Sequence, residues 1–288
     1  MDLRHFFLFM VKAFTLLFIS VACGKPQKVS PSLRDKLAGQ YANKLEELRD
    51  LSREHIAGWP SDHDCDSSLW AGVARAAGAE WVEVDAGVRP DGRTTRRPLR
   101  DCVIPDESAT STSNDMITGL LLGLLASKDE TTVHKMYRYG EDHNWIMGYP
   151  ETYISRVLLR PNGITLMARI LHHLSGGGRD YIIRHAPMVY GPTDGDYESH
   201  LALLSRYMEQ ELGGPQYGAE ATEQYLAVAF PTDALAQAVA GKYMMGALLL
   251  TSDYKSPSYV RGHPSYHLVH WLFAARIILD RAPAEIVE

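Results

Sequence analysis

The chain has 288 residues, 45% of them hydrophobic, and a formal net charge of -6 at pH 7. This length and composition suffice for one large domain or two small ones with a real apolar core. The mildly acidic balance excludes the basic stripe on which nucleic-acid binding depends. We therefore expect no nucleic acid among the partners.

An export signal is predicted at the start of the chain. Arg4 and Lys12 flank or interrupt an apolar run, which continues as AFTLLFISVAC before Gly24. The stretch after Lys12 has the length of a signal-peptide core and is shorter than the ~20 residues that a membrane-spanning helix needs. We predict that residues 1–22 are a signal peptide and that residues 23–32 are a short tether.

The residues at the predicted cleavage site, Ser20, Val21, Ala22 and Cys23, resemble the lipobox of bacterial lipoproteins. Ser20 stands where that motif usually has leucine. The resemblance implies that Cys23 is acylated after cleavage and anchors the protein in the bacterial cell envelope, either periplasmic or surface-facing. Cleavage after Ala22 without a lipid is the alternative.

The other two cysteines, Cys65 and Cys102, then form an even pair, which suits an oxidising compartment. A bridge between them would close a loop of roughly 40 residues and stabilise the fold by about 3 to 4 kcal/mol in the chain-entropy model. We predict this disulfide. Two buried thiols are the alternative.

Apolar residues at helical spacing, capping residues and breaks at Gly or Pro predict a series of helices along the rest of the chain. The predicted helices cover residues 33–52, 63–78, 112–127, 129–140, 162–175, 195–212, 219–229, 232–250 and 265–281. They indicate one α-rich domain over residues 33–288, built as a bundle of helical hairpins or as an incomplete α/α toroid.

Residues 79–110 interrupt the helical pattern. EWVEVDAGV alternates between apolar and polar residues, and the RPDGR that follows contains a turn signal. We expect a small β-hairpin or an irregular excursion here. The arginines that follow, Arg96, Arg97 and Arg100, are expected to form a solvated edge.

The paired helices and the polar, aromatic loops resemble secreted all-α toroid proteins of the six-hairpin glycosidase and lyase type. The loops that carry this resemblance are HDCDSSLW, GEDHNWIMGYPETYISR and YGPTDGDYESHL. The resemblance covers about residues 60 to 282 and implies a polysaccharide-cleaving site among the loops.

The helix predicted in STSNDMITGLLLGLLAS is apolar on nearly every face, which indicates a central helix. Asp115 lies in its first turn, where the helix dipole favours a negative charge. Ser111, Thr112 and Ser113 offer ample capping without Asp115. We therefore predict that Asp115 is a site residue suited to act as a base or nucleophile; a capping role is the alternative.

A second carboxylate, Glu151, lies in the loop GEDHNWIMGYPETYISR among tyrosines, and these neighbours suit it to the acid role. Two carboxylates that flank a glycosidic bond can cleave it as acid and base or as acid and nucleophile. Asp115 with Glu151 is our predicted pair. The alternative is a solvated polar loop whose aromatic side chains cover the helix ends.

Other candidate site residues are aromatic rings that can stack on sugars and polar groups that can bind or assist. We predict His200 as an assisting catalytic residue. The predicted substrate-binding residues are Trp70, Trp145, Tyr149 and Arg156.

Three histidines, His263, His267 and His270, share one helical face, but the His-Glu-x-x-His motif of zinc proteases is absent. We predict no metal and no cofactor. The function predicted from the sequence is an exported glycoside hydrolase or lyase that acts on a cell-envelope or environmental polysaccharide by carboxylate acid/base chemistry. The alternative is a non-catalytic lipoprotein that serves as a binding or scaffold module.

Overall fold

The computed structural model describes residues 31–62, 64–100, 112–148, 158–159, 161–177, 196–213, 219–251, 254 and 264–283. This part of the chain is mainly helical, as predicted. Its α-helices are α1 Pro31–Ser52, α2 Ser67–Ala76, α3 Asn114–Ser127, α4 Glu130–Asp142, α5 Pro161–Leu174, α6 Asp196–Glu211, α7 Ala219–Ala229, α8 Ala234–Val239, α9 Tyr243–Leu250 and α10 Pro264–Arg281.

The single helix predicted at residues 232–250 is wrong, because the chain turns between α8 and α9. Gly241 has a φ of +74°, in the left-handed region that glycine enters without steric cost. The backbone N–H of Lys242 donates to the carbonyl of Gln237 across this turn, at 2.8 Å. Two short helices therefore replace one long helix.

The excursion after α2 is irregular within its described residues, 79–100. It contains a short 3₁₀ helix, Val84–Gly87. Isolated antiparallel bridges join Val88 to Thr94 and Arg97 to Arg100. Of the two expected forms, hairpin or irregular segment, these residues adopt the irregular one.

Helices α2 and α3 cross in direct backbone contact at glycines. A Cβ on Gly119 would lie 2.4 Å from the Cα of Leu69, and one on Gly123 would lie 2.7 Å from the Cα of Gly72. Any larger side chain at these positions would collide with the neighbouring backbone. Because the contacts advance together along both helices, α2 and α3 run in the same direction.

Helices α6 and α10 also run in the same direction. The rings of His200 and His270, early in the two helices, lie 5.4 Å apart. Farther along, Tyr207 and Phe273 make an edge-on contact with ring centroids 4.9 Å apart. The order of the contacts is the same on both helices.

Helix α10 runs parallel to α2 as well. Near the beginning of both helices, Trp70 stacks on Tyr266 with ring centroids 4.8 Å apart. Beyond the last turn of α2, a Cβ on Gly78 would lie 3.6 Å from Nη1 of Arg276. The helices α2, α3, α6 and α10 thus all begin at one end of the molecule, which we call the N-end, and finish at the other, the C-end.

Contacts between helices close into a circuit: α2 packs on α3, α3 on α6, α6 on α8, α8 on α10, and α10 on α2. Of the other helices, α1 packs against α10, and α7 packs against α6 and α8. One cluster of buried apolar side chains extends through the described chain from Leu37 to Ala282. Within the described residues, no helix has both the length and the apolar character needed to cross a membrane.

Candidate functional site

The N-end brings together polar side chains from several segments that are distant in sequence. Its buried base is a stack of aromatic rings. Trp70 of α2 stacks on Tyr266 of α10 with 13° between the ring planes, and on His200 of α6 with centroids 5.2 Å apart. All three side chains are completely buried.

His200 and His270 form a buried pair of imidazoles beneath the N-end. Burial lowers the pKa of His200 well below its usual value, and the nearby His270 lowers the pKa further. Burial also lowers the pKa of His270, while the charge of Asp233 opposes that shift and His267 adds to it. Both imidazoles are therefore neutral near pH 7, and each ring has one nitrogen that can donate a hydrogen bond and one that can accept a hydrogen bond.

The first residues of α8 contribute a carboxylate to the same end. Asp233 is 0% exposed, and its Oδ1 accepts a hydrogen bond from the backbone N–H of Ala236 at 3.0 Å. The N–H of Ala234 donates to the hydroxyl of Tyr254 at 3.0 Å. The Tyr254 ring in turn stacks on His270, with centroids 6.4 Å apart.

The loop before α2, which we call the 61–66 loop and which the structure describes at residues 61–62 and 64–66, brings carboxylates near Tyr266 of the ring stack. Burial raises the pKa of the Tyr266 hydroxyl, and the charge of Asp64 raises it further, while hydrogen bonds with Ser67 and Ser61 oppose the shift. The Tyr266 hydroxyl therefore stays protonated and reaches the loop from below. Asp64 is itself tied to the backbone, because its Oδ1 accepts from the N–H of Asp66 at 2.8 Å.

Arginines of the excursion hold this loop in place. Nη1 of Arg96 donates to the carbonyl of Cys65 at 3.3 Å and lies 3.6 Å from Oδ1 of Asp66. Arg100 donates to the carbonyl of Asp62 at 3.2 Å. The prediction of a solvated edge is wrong for Arg96, whose side chain is only 13% exposed, because the loop carbonyls and carboxylates attract it.

Asp115 lies at the N-end in the first turn of α3, where its side chain is half-buried. The premise that nearby hydroxyls cap this helix is wrong within the described residues. Ser113 occupies the N-cap position without a side-chain capping bond, and its hydroxyl donates to Oδ1 of Asp115 instead. The hydroxyl of Thr112 accepts from Thr94 at 2.9 Å. Ser111 lies outside the described residues.

Trp145 lies in the turn that follows α4. Asn144 and Trp145 both have positive φ, 52° and 64°, a conformation that costs energy in residues other than glycine. The indole is half-buried and meets Tyr137 edge-on at 5.2 Å. The backbone carbonyl of Trp145 accepts a hydrogen bond from the N–H of Leu159 at 2.8 Å.

The structure thus places Asp115, His200 and Trp70 at the same end of the helices, with His200 and Trp70 beneath the surface. Because Trp70 is 0% exposed, a sugar reaches its ring only if the packing above it opens. Five predicted residues lie outside the described part of the chain: Cys23, Cys102, Tyr149, Glu151 and Arg156.

Sequence reasoning missed Asp233, Tyr254 and Tyr266. A signal for Tyr266 was present, because Tyr266 and His270 are spaced four apart on a helix that is otherwise apolar on that side. Asp233 has the sequence signature of an ordinary N-cap before ALAQAV, so its complete burial could not be read from the pattern. Tyr254 comes between two helices, where local patterns say nothing about tertiary contacts.

Within the residues that the structure describes, no group of three His, Cys, Asp or Glu side chains is arranged to hold a metal ion. Comparison with known proteins found no matching family model, no matching curated protein and no matching solved structure.

Proposed function

We propose that the protein is an exported, lipid-anchored enzyme that cleaves a cell-envelope or environmental polysaccharide at the N-end, as a glycoside hydrolase or lyase. The observation that carries the proposal is the convergence of helix starts at one end, with Asp115, the imidazole pair and the 61–66 loop gathered there. A set of parallel helices in contact with one another is also a feature of an α/α toroid. The closed circuit of helix contacts supports that architecture.

In this proposal Asp115 is the base or nucleophile. Its position in the first turn of α3 places the carboxylate at the positive end of the helix dipole. The hydroxyl of Ser113 donates to Oδ1 and thereby fixes the side-chain orientation. The carboxylate of Asp115 would take a proton or attack the sugar, with Glu151 as the acid. The separation of the two carboxyl groups would decide whether the product retains or inverts its configuration.

Replacing Asp115 by Asn tests this role, and Asp129→Asn is the matched control. Asp129 is also an aspartate at a helix start. It is the N-cap residue of α4, and its side chain accepts a hydrogen bond from the N–H of Thr132 at 2.9 Å. It follows directly on α3 and therefore lies at the C-end. We expect Asp115→Asn to lower turnover by about 10²- to 10⁴-fold with the melting temperature nearly unchanged.

The assay measures reducing ends, or new double bonds, on a panel of neutral, amino-sugar and uronate polysaccharides. Asp129→Asn should keep full turnover and lose up to about 1 kcal/mol of stability. Wild-type turnover by Asp115→Asn would contradict the proposed mechanism and leave Asp115 with a structural role only.

The anchor is tested at Cys23, which we propose to be the lipidated first residue of the mature protein. Cys23→Ser removes the sulfur that a lipid needs. The variant should leave the membrane fraction or remain unprocessed. Membrane partitioning and processing identical to wild type would contradict the anchor, and the enzymatic proposal would stand separately.

The Cys65–Cys102 bridge stays a prediction, and it would tie the 61–66 loop to the excursion. Cys65 is half-buried in that loop, and its carbonyl is already held by Arg96. Non-reducing mass spectrometry of the exported protein should find the two cysteine peptides joined. Two free thiols in the exported protein would contradict the prediction.

A binding or scaffold module is the second candidate function, because some described helices expose pairs of apolar side chains. Tyr225 and Val228 of α7 are 49% and 69% exposed, and Met245 and Leu248 of α9 are 45% and 49% exposed. Each pair is spaced by three residues and so shares one helix face. Saturable binding of a polysaccharide with no cleavage product would favour this function over the enzyme.

A further inference from the structure

Helix α1 begins at the C-end of the molecule. Arg34, in its first turn, donates to the backbone carbonyl of Ala282 at 2.9 Å and to that of Leu279, where α10 ends. Farther along α1, Nζ of Lys44 lies 5.3 Å from the centroid of the Trp271 ring. Residue numbers therefore rise along α1 as they fall along α10, and the two helices are antiparallel. The chain that precedes α1 joins the molecule at the C-end, opposite the candidate site.

The proposed lipid is attached close to this end. Seven residues, 24–30, separate Cys23 from Pro31, the first residue of α1. Even a fully extended chain of this length spans at most about 28 Å. A lipid on Cys23 would therefore keep the beginning of α1 within that distance of the membrane.

Helix α9 begins on the C-end side as well and lies beside α1. A Cβ on Gly246 would lie 3.0 Å from Cδ1 of Ile278. One turn later, the carbonyl of Leu250 accepts a hydrogen bond from Nε1 of Trp271 at 3.3 Å. Helix α9 is thus antiparallel to α10, and it packs against α1 as well as against α10. Because Trp271 also contacts Lys44, residues 246–250 lie level with the first half of α1.

Helix α9 is apolar on its outer side as well as its inner side. Its sequence, YMMGALLL, contains no charged residue. Gly246, Ala247 and Leu250 are buried, whereas Met245 and Leu248 are 45% and 49% exposed. We call the surface formed by Met245 and Leu248 the α9 face. A surface helix ordinarily has polar residues on its outer side, and an apolar outer side is typical of a helix that lies in a membrane interface.

The neighbouring part of α1 also lacks exposed charges. Between residues 37 and 45, the exposed residues of α1 are Ala38, Gly39, Ala42 and Asn43. Exposed charged residues precede this stretch at Asp35 and Lys36 and follow it at Glu46, Glu47, Arg49 and Asp50. Residues 37–45 can therefore approach a bilayer without removing an exposed charge from water, whereas the second half of α1 would have to stay in water.

We infer that the α9 face lies on the membrane that holds the lipid of Cys23, with the N-end directed away from the anchor. This inference rests on the proposed lipid anchor. The partner is a phospholipid surface because the short connection to Cys23 would bring the C-end within reach of the bilayer in every anchored molecule. The proposed active site would then face the polysaccharide of the cell envelope or the surroundings, and not the lipid.

The experiment uses the full lipidated chain on vesicles of phosphatidylethanolamine and phosphatidylglycerol, with or without bromine on the upper part of the acyl chains. Bromine quenches the fluorescence of a tryptophan that enters the lipid. Leu248→Trp probes the α9 face, and Val228→Trp is the matched control on α7, where Val228 is 69% exposed. The wild-type signal is subtracted from both, so only the added tryptophan is compared.

We expect brominated lipid to lower the added fluorescence of Leu248→Trp at least about twofold, because an apolar face at the headgroup boundary is buried about 5 to 10 Å deep. The added fluorescence of Val228→Trp should not change. If Leu248→Trp fails to fold, Met245→Trp probes the same face with the same expected result.

Anchored protein whose α9 face is not quenched would overturn the inference and leave the lipid anchor standing. A blue shift of Leu248→Trp that grows with protein concentration, without quenching, would instead assign the face to a second copy of the chain. Sedimentation with the vesicles is measured in parallel. A wild-type chain that carries no lipid and stays in solution would contradict the anchor, and the inference would fail with it.

Discussion

The two ends of the parallel helices handle their polar groups in different ways. At the C-end, charges face opposite charges: Arg281 pairs with Glu211 and lies 4.4 Å above the ring of Tyr207. At the N-end, the buried polar groups His200 and His270 are neutral rings stacked in the core. Ion pairs of the first kind stabilise a fold, whereas perturbed, buried acid–base groups of the second kind are typical of functional sites. This contrast is why we propose the N-end as the place of the chemistry.

The C-end does have a groove, of about 430 Å³. Its walls include apolar and charged residues from α3, α4 and α6: Leu122, Leu125, Lys128, Glu130, Tyr207 and Glu211. Burial raises the pKa of the Tyr207 hydroxyl to about 12, and the charge of Glu211 adds to the shift. The Tyr207 phenol therefore holds its proton throughout the physiological range and does not act as an acid or base near neutrality.

Disrupting the crossing of α2 and α3 should have a large effect on stability, because the two backbones are in direct contact there. In Gly119→Val, the new side chain would collide with the backbone at Leu69. We expect a loss on the order of 3 kcal/mol or more in the free energy of unfolding, measured by denaturant titration. Gly39→Ala in α1 is the control, since a Cβ there meets nothing within 4 Å, and it should stabilise by up to about 1 kcal/mol. If Gly119→Val were as stable as wild type, the close crossing of α2 and α3 would be contradicted, and with it the argument that both helices begin at the N-end.

A large effect confined to the C-end half is expected at Arg206. Its side chain is 4% exposed and pairs with Glu209 and, at 2.7 Å, with Glu223. Arg206→Met leaves two carboxylates without this partner and should cost about 3 to 5 kcal/mol. Arg138→Met breaks an exposed pair with Glu141 and should cost at most about 0.5 kcal/mol.

The Arg206 variant also separates the two ends functionally. At a temperature where it stays folded, its turnover of any polysaccharide that wild type cleaves should equal that of wild type. A turnover defect larger than its loss of folded protein would show that the ion pairs of the C-end take part in the chemistry.

We expect the buried imidazole pair, and not the groups of the C-end, to make the free energy of unfolding depend on pH. An unfolded histidine binds a proton near pH 6.5, whereas folded His200 binds one only at a much lower pH. Between these values the unfolded state holds more protons, so stability falls as the pH falls below 6.5. Each such histidine contributes a slope of up to about 1.4 kcal/mol per pH unit.

His200→Gln should therefore reduce the loss of stability below pH 6.5. Above pH 7.5 the pH dependence of the free energy of unfolding should stay unchanged. Chemical denaturation at a series of pH values measures both. The control His172→Gln replaces an exposed histidine of α5 and should keep the wild-type slope. Equal slopes in His200→Gln and wild type would mean that His200 is not held neutral by its burial.

The helices were largely predictable from the sequence because apolar spacing and capping residues are local signals. The turn at Gly241 was missed because the residues on both sides, ALAQAV and YMMGALLL, are good helix formers. The glycines of α3 are visible in the sequence, but no local pattern indicates that Leu69 and Gly72 of α2 meet them. Asp115 and His200 were named from local patterns, whereas Asp233 and Tyr254 depend on contacts between segments distant in sequence. Such contacts leave no periodic trace in a single chain.

The central claim, that substrate binds at the N-end, is tested most directly by amide hydrogen exchange with and without saccharide. The probes are defined oligosaccharides of neutral, amino-sugar and uronate type, added to the full chain of the Asp115→Asn variant so that they are not consumed. The account predicts slower exchange in peptides that cover residues 61–70 and 112–118, and unchanged exchange in peptides that cover 122–130 and 205–213. Protection of the second set without the first would contradict the account.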